Sequence, residues 1–136
     1  MSRVLAFDFG LKRVGVAVSD PLQIIANTLE TVPTIDIFSF IKTYCAKEEV
    51  ETFVVGYPFA HGHSENEITK HIDQFIAKLA VLYPTKKMEK IDESFTSRMA
   101  QQTLLFSGVN KKERRKKGNI DAISANLILQ SYLSTK

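Results

Sequence analysis

The chain has 136 residues, of which 44% are hydrophobic and 24% charged, and its formal net charge is +3. This size and composition predict one globular domain over residues 1–136 with a core of its own, and they exclude disordered and disulfide-stapled proteins. No apolar run approaches the length of a transmembrane helix and no basic leader opens the chain, so we expect neither a membrane span nor a signal peptide.

The first elements are two short apolar runs joined by a turn. Residues 4–8 are mostly apolar and predict a short buried strand, and residues 14–18 predict its antiparallel partner after a turn that contains Gly10. The first strand ends in a carboxylate, Asp8. Burying such a charge is costly unless a cation or hydrogen bonds compensate it. Two interpretations of Asp8 stay open here: a turn-capping residue, or a ligand of a cation.

A third strand and a first helix follow. Residues 23–31 place apolar side chains between polar ones, and prolines such as Pro33 bracket them, which predicts a strand. Residues 35–47 have apolar side chains at helical spacing, which predicts an amphipathic helix capped by Thr34 or Asp36. The single cysteine, Cys45, lies in this helix and we expect it to pack. One cysteine cannot form an internal disulfide, which indicates a reducing compartment, and we expect the cytoplasm.

The middle of the chain predicts a fourth strand over residues 52–56 and a second helix. The loop between them contains His61 and His63, which in a polar, Gly-containing segment are more typical of an exposed loop than of a metal site. Ser64 followed by Glu67 fits a capping box that opens the helix. Its apolar side is formed by Ile68, Ile72, Phe75, Ile76, Leu79 and Leu82.

Residues 87–92 predict a fifth strand, which leads directly into Glu93. A helix over residues 96–106 is expected next, and after it residues 111–117 contain six basic side chains and predict an exposed, mobile loop. A last helix is expected over residues 120–133, capped by Asn119. Asp121 would lie in its first turn, where the helix dipole favours a carboxylate. Small side chains would let this helix approach a sheet closely: Ala122, Ser124 and Ala125.

Positive charge is concentrated in one part of the chain. Residues 86–118 hold ten Lys and Arg against four Asp and Glu, a balance of +6, whereas the remainder holds eight against eleven, a balance of −3. Such a concentration is typical of a surface that binds a polyanion. A solvated basic loop is the alternative interpretation from charge alone.

Three consecutive strands followed by strand–helix alternation predict an α/β fold. We expect a five-stranded mixed sheet whose first three strands are antiparallel and whose later strands are parallel, with helices on both faces. If the fourth strand lies between the first and the fifth, Asp8 and Glu93 start two strand spacings apart, roughly 9–10 Å. Gly56, which has no side chain, would lie between them, and a divalent ion could join the two carboxylates.

Six short motifs in order span essentially the whole chain. They are Asp8-Phe9-Gly10, Val14-Gly15-Val16-Ala17, Val55-Gly56-Tyr57-Pro58, Asp92-Glu93-Ser94-Phe95-Thr96-Ser97, Lys117-Gly118-Asn119-Ile120-Asp121-Ala122 and Ile128-Leu129-Gln130-Ser131-Tyr132-Leu133. In order and spacing the chain resembles the YqgF/RuvX family. The resemblance implies a ribonuclease H-like fold and a nuclease that matures the 5′ end of pre-16S ribosomal RNA, or else resolves Holliday junctions.

The resemblance also implies the site. Asp8, Glu93 and Asp121 would be both catalytic residues and metal ligands, and a set of carboxylates suits Mg²⁺ or Mn²⁺, with two ions when substrate is bound. The partner would be structured RNA or branched DNA, with no membrane, and the protein a monomer or weak homodimer. Basic side chains would bind the nucleic acid: Lys12, Arg13, Arg98, Lys111, Lys112, Arg114, Arg115, Lys116 and Lys117.

Two positions depart from the family pattern, and two other classes of protein compete with a nuclease. Ser94 stands where an Arg usually follows the acid pair, with Arg98 four residues on, and Phe59-Ala60-His61 replaces a common Asn. The stretch after Asp8 also resembles the first phosphate loop of sugar kinases and actin-like ATPases, but those enzymes need two such domains. A nucleic-acid-binding module without catalysis is the other alternative, and retention of all three acids argues against it.

Overall fold

The computed structural model of the protein describes residues 2–58, 67–92 and 117–135, and of residues 67 and 117–122 it describes the backbone alone. We number the elements in these segments β1–β5 and α1–α3. In chain order they are β1 (Arg3–Phe9), β2 (Arg13–Ser19), β3 (Ala26–Pro33), α1 (Ile37–Lys47), β4 (Val50–Tyr57), α2 (Glu67–Leu82), β5 (Lys87–Asp92) and α3 (Lys117–Ser134).

The five strands form one mixed sheet in the order β3-β2-β1-β4-β5. The pairs β1–β2 and β2–β3 are antiparallel, and the pairs β1–β4 and β4–β5 are parallel. This confirms the predicted mixed sheet and the predicted place of the fourth strand between the first and the fifth. The strand that carries Asp8 is therefore the middle strand of the sheet.

Alternation along β1 divides the core into two layers. Leu5 and Phe7 point to one face, where they pack with buried residues of α1 and α2, and this is called the α1/α2 face below. Val4 and Ala6 point to the other face, the α3 face, where they pack with Ala125 and other residues of α3. Each fully buried large apolar side chain contributes about 1.5–3 kcal/mol relative to exposure. The prediction of helices on both faces is confirmed.

Small side chains let α3 lie close to the sheet. Ser124 and Ala125 are fully buried. The next residue, Asn126, donates a hydrogen bond from Nδ2 to the carbonyl oxygen of Ala26 at 3.1 Å, which anchors the helix to β3. The prediction of a close approach is confirmed for these positions. None of the helices in the described segments is long and apolar enough to cross a membrane.

The third strand begins later than predicted. Asp20 Oδ1 accepts hydrogen bonds from the amides of Ile24 and Ile25 at 2.7 and 2.8 Å, and Gln23 has a φ of 58°, so these residues form a turn. Ile24 and Ile25 are 68% and 58% exposed, and the prediction that they belong to the strand was wrong. Pro33 is the last residue of β3 rather than lying beyond it, which an edge strand tolerates.

The ends of the first two helices also differ from the prediction. A 3₁₀ turn, Thr34–Asp36, precedes α1, which begins at Ile37. Asp36 occupies the N-cap position without a side-chain hydrogen bond, and Thr34 Oγ1 instead donates to the carbonyl oxygen of Gly10 at 2.7 Å. Asp36 is therefore confirmed as the N-cap residue, although its side chain makes no capping hydrogen bond, and Thr34 is not the cap. Leu82, assigned to the buried side of α2, is 52% exposed because it lies in the last turn.

The last helix begins at Lys117, three residues before the predicted start. Lys117 and Gly118 therefore belong to α3 and not to a loop, Asn119 is an interior position and not a cap, and Asp121 lies beyond the first turn. The strand β5 has the predicted bounds, whereas β4 is longer at both ends than the apolar run that predicted it. The loop with His61, His63 and Ser64, the predicted helix over residues 96–106 and residues 111–116 lie outside the described residues.

Candidate active site

Asp8 is the second-to-last residue of the middle strand and is partly buried. In the antiparallel pair it lies opposite Gly15 of β2. On the other side Phe7 is in register with Val55, which places Asp8 at the level of Gly56 in β4. Both residues beside Asp8 are thus glycines.

The two glycines lie on the face to which Asp8 points, so neither places a side chain beside it. Asp8 alternates with Phe7 and follows Ala6 by two residues, so its side chain belongs to the α3 face. Gly15 precedes Ala17, and Gly56 follows Val54, by the same two-residue step, and both of those neighbours pack on the α3 face. The carboxylate therefore stands between two positions without side chains, an arrangement that suits a ligand or an ion beside it.

The end of β5 reaches the same edge of the sheet. Gly56 is in register with Ile91, and Tyr57 with Asp92. Ile91 packs on the α3 face, so the next residue, Asp92, points to the α1/α2 face, away from the side of Asp8. Glu93 lies outside the described residues.

The direction of α3 brings its beginning towards Asp8. Asn126 contacts Ala26, which pairs with Ser19, and the amide of Val4 donates to Ser19 Oγ at 2.9 Å. Asn126 therefore lies at the end of β1 where the strand starts. Leu133 and Ser134, later in α3, line one cavity with Ile24, which is beyond that end, so earlier residues of α3 lie towards the end with Asp8. Asp121 precedes Asn126 by five residues, about 7.5 Å of helix. The structure gives its place in the helix backbone but not that of its side chain.

Two of the predicted basic residues lie at this edge. Lys12 is exposed in the turn between β1 and β2, and Arg13, the first residue of β2, is partly buried. Arg13 precedes Gly15 by two residues, so it shares the α3 face with Asp8. The turn itself requires a glycine, because a Cβ atom at Gly10 would lie 2.6 Å from the carbonyl oxygen of Arg13.

The other predicted site residues are outside the side-chain description. They are Glu93, Arg98, Lys111, Lys112, Arg114, Arg115, Lys116, Lys117 and Asp121. Ser94 and residues 59–61, the two departures from the family pattern, are outside it as well. Within residues 2–58, 67–92 and 117–135, no group of three or more His, Cys, Asp or Glu side chains could hold a metal ion. The side chains described there include that of Asp8 but not those of its two predicted co-ligands.

A polar cluster that no sequence signal predicted lies on the α1/α2 face beside the candidate site. Tyr57 donates its hydroxyl hydrogen bond to Asp73 Oδ2 at 3.3 Å, and Lys90 Nζ lies 3.7 Å from Asp73 Oδ1 and 4.5 Å from the centre of the Tyr57 ring. The cluster joins α2 to the ends of β4 and β5 on the α1/α2 face. Only Tyr57 belongs to a recognised motif, and contacts between residues so distant in sequence carry no local pattern.

Cys45 takes no part in the site. It packs against the core of the α1/α2 face, and burial raises the pKa of its thiol. A protonated, partly buried thiol is a poor nucleophile. The predicted packing role is confirmed.

Comparison with known proteins gives the family. A sequence model described as "RuvX: Holliday junction resolvase" matches residues 2–135. The chain belongs to the RuvX family. The recognition made from the motifs is thereby confirmed, and with it the prediction of a nuclease, a hydrolase acting on phosphodiester bonds of nucleic acid.

RuvX relatives align over almost the full length of both chains. A protein of Bacteroides thetaiotaomicron and one of Flavobacterium johnsoniae are each 46% identical over 136 residues, covering 100% of this chain and 99% of the relative. A protein of Porphyromonas gingivalis is 47% identical over 133 residues, covering 98% of this chain and 96% of the relative. All three bear the name "Putative pre-16S rRNA nuclease".

One solved structure supports the predicted fold. It is described as T. thermophilus RuvC in complex with Holliday junction substrate, and it aligns with a TM-score of 0.58 and 17% identity over 99% of this chain and 98% of RuvC. At this identity the likeness concerns the fold alone. The predicted ribonuclease H-like α/β architecture is confirmed.

Proposed function

We propose that this RuvX protein is a metal-dependent nuclease that acts in the maturation of the 5′ end of pre-16S ribosomal RNA. The observation that carries the proposal is the place of Asp8, at the end of the middle strand and between two glycines on the α3 face. The relatives that share 46% of their residues with the full chain bear the name of that activity.

The chemistry of Asp8 fits a hard divalent cation. Its carboxylate oxygens are the ligands that Mg²⁺ and Mn²⁺ prefer, and the missing side chains at Gly15 and Gly56 leave space beside it. We propose that Asp8, Glu93 and Asp121 hold Mg²⁺ or Mn²⁺, with two ions when substrate is bound. Such ions activate a water molecule and stabilise the leaving oxygen of a phosphodiester.

The geometry of β5 supports Glu93 rather than Asp92 as the second ligand. Ile91 packs on the α3 face and Asp92 points to the opposite face. A strand that kept its alternation for one more residue would turn position 93 to the face of Asp8. A Glu side chain is long enough to reach across Gly56.

The start of α3 supports the third ligand. A carboxylate in the first turn would be explained by the helix dipole, but the dipole effect falls off within that turn. Because α3 begins at Lys117, Asp121 lies beyond its first turn and needs another explanation. A ligand role at the end of the sheet where Asp8 lies supplies one.

The basic side chains would position the nucleic acid. Arg13 and Lys12 lie at the edge of the sheet that Asp8 occupies, so we assign them phosphate contacts. We propose the same role for Arg98 and for the basic residues from Lys111 to Lys117. A single domain over residues 1–136, a monomer or weak homodimer, and a cytoplasmic location are further parts of this proposal, and the last follows from a substrate made in the cytoplasm.

Resolution of Holliday junctions is the second candidate, because the matching family model is described by that activity. A side-by-side assay separates the candidates. Purified protein with Mg²⁺ or Mn²⁺ is given an RNA that carries the 5′ leader of 16S ribosomal RNA and a four-way DNA junction of equal length. We expect cleavage of the RNA at the leader boundary. Faster cleavage of the junction would favour the second candidate, and tight binding of either without any cleavage would contradict both.

A further inference from the structure

A concave site lies on the α1/α2 face of the sheet, at the same end of β1 as Asp8. It is a cavity of about 210 Å³, and Phe9, Phe38 and Phe75 are among its walls. Phe9 directly follows Asp8 in β1, so the two side chains leave the strand on opposite faces. A nucleic-acid strand that passes over the end of the sheet at Asp8 therefore reaches this cavity next.

The apolar walls of the cavity are aromatic rings. The centres of the Phe9 and Phe75 rings are 4.9 Å apart, and those of Phe38 and Phe75 are 5.5 Å apart. Phe75 is 3% exposed and forms the floor, whereas Phe9 and Phe38 are partly buried. Half-open ring faces around a closed floor form a surface on which another flat ring can stack.

One basic side chain flanks these rings, and a second basic residue lies in the adjoining turn. Lys78 Nζ lies 4.3 Å from the centre of the Phe38 ring, and Lys78 is exposed. The backbone amide of Thr34, on the cavity wall, donates a hydrogen bond to the carbonyl oxygen of Lys12 at 3.0 Å, so the exposed Lys12 belongs to the adjoining turn. The site thus combines aromatic walls with positive charge beside them, which is complementary to a flat ring that carries an anionic group.

We propose that this cavity binds an unpaired nucleobase of the substrate strand, with the phosphates beside that base held by Lys12 and Lys78. The inference rests on the proposed nuclease function and deepens it, because a binding site for an unpaired base selects substrates with a single-stranded segment next to the cleaved bond. Base stacking on aromatic side chains is tolerant of sequence, so the selection concerns strand structure and not a particular base.

The test measures binding and not cleavage. Each variant is made in the Asp8→Asn background, and its affinity is measured by fluorescence anisotropy for two single-stranded RNA 10-mers, one with bases and one with abasic sites throughout. Phe38→Leu keeps an apolar side chain but removes the ring, and we expect about 10-fold weaker binding of the base-bearing strand and no change for the abasic strand. Lys78→Gln is expected to weaken the binding of both strands.

Matched controls of the same residue types come from α1. Phe40 stacks on Tyr44 with ring centres 6.0 Å apart and is not a wall of the cavity. Phe40→Leu and Lys47→Gln should leave both affinities unchanged. Equal effects of Phe38→Leu and Phe40→Leu, or equal loss for both strands in Phe38→Leu, would overturn the inference. If Phe38→Leu is unstable, Lys78→Gln against Lys47→Gln still decides whether this site binds phosphate.

The outcomes also separate this inference from the proposed function. Cleavage by the wild type together with unchanged binding in both Phe38→Leu and Lys78→Gln would refute the cavity and keep the nuclease. Loss of base-dependent binding in Phe38→Leu without any cleavage by the wild type would refute the nuclease and keep the cavity.

Discussion

At the scale of single residues, Asp8 is the position on which the proposed chemistry depends. We expect Asp8→Asn to abolish cleavage, because an amide loses the charge that holds a divalent cation. The fold should remain, since Asn has the same shape and the neighbouring glycines leave space, and the free energy of unfolding should change by less than about 1 kcal/mol. Cleavage rate and thermal melting are the two measurements. A folded Asp8→Asn protein with full activity would remove Asp8 from the site.

The acid pair that follows β5 gives an internal comparison. We expect Glu93→Gln to lower the cleavage rate at least 100-fold, whereas Asp92→Asn should leave it within about threefold, since Asp92 points to the α1/α2 face. The measurement is the cleavage rate of each variant over a range of Mg²⁺ concentrations. Equal losses in the two variants, or a larger loss in Asp92→Asn, would reverse the assignment.

Gly10 is required for a steric reason. An added Cβ atom would lie 2.6 Å from the carbonyl oxygen of Arg13. This oxygen belongs to the backbone, so it can move only if the whole turn changes its conformation. We expect Gly10→Ala to destabilise the protein by about 1–3 kcal/mol, as overpacking does. Urea unfolding measures the change, and Ser39→Ala at an exposed position of α1 is the control, with an effect within about 0.5 kcal/mol. Equal stability of the two variants would show that the turn adapts.

At the scale of elements, the basic segment before α3 carries the clearest electrostatic prediction. Replacement of Arg114, Arg115, Lys116 and Lys117 by Gln should weaken binding of RNA and DNA alike. The log–log slope of affinity against salt should decrease by about one for each lost phosphate contact. Cleavage at saturating substrate should fall less than affinity, because these side chains position the backbone and are not proposed as ligands.

The control for the basic segment removes charge at the start of β1, the end of the sheet away from Asp8. Lys87 is in register with Thr52 and hence near Val4, and Lys47 precedes Glu48, whose carboxylate lies 3.3 Å from Arg3. Lys47→Gln together with Lys87→Gln should leave the salt slope unchanged. If the quadruple variant also leaves it unchanged, the segment is a solvated loop, as charge alone allowed.

The cluster of Tyr57, Asp73 and Lys90 contacts the ends of β4 and β5 on the α1/α2 face. These contacts join α2 to the two strands next to the candidate site. Because Lys90 and Asp73 are largely exposed, their ion pair stabilises the protein only slightly. We expect its main effect to be on the position of the strand ends.

At the scale of the whole molecule, the proposed site predicts a link between divalent ions and stability. Carboxylates gathered at one sheet edge repel one another, and a bound cation removes that repulsion. Ligand binding to the folded state alone raises its stability by RT ln(1 + [L]/Kd), about 2.7 kcal/mol at 100 times Kd. We expect Mg²⁺ or Mn²⁺ to raise the melting temperature of the wild type and EDTA to reverse the rise. Asp8→Asn should show little of either effect.

That experiment has its own control in charge screening. An equal ionic strength supplied by NaCl should not reproduce the rise in melting temperature, because screening is not coordination. A rise of the same size with NaCl, or in Asp8→Asn, would contradict a metal site built on this residue.

Much of the architecture could be predicted from the sequence because its signals are local. Short apolar runs, or runs with apolar side chains between polar ones, predicted the five strands, and helical spacing predicted α1 and α2. The alternation of strands and helices gave the mixed sheet. Motif order gave the family and pointed to Asp8. Each of these patterns reflects preferences that act over a few residues, so each can be recognised from the local sequence alone.

Other features were decided by contacts between distant residues. Ile24 and Ile25 have the composition of a strand, but Asp20 holds their amides in a turn. The helix α3 begins at Lys117 and not after Asn119. Only the register shows that Asp8 stands between Gly15 and Gly56, and only the packing of α1 and α2 gathers the rings behind it. Sequence separation carries no signal for such pairs, because their free energy comes from burial and hydrogen bonds that exist once the sheet has formed.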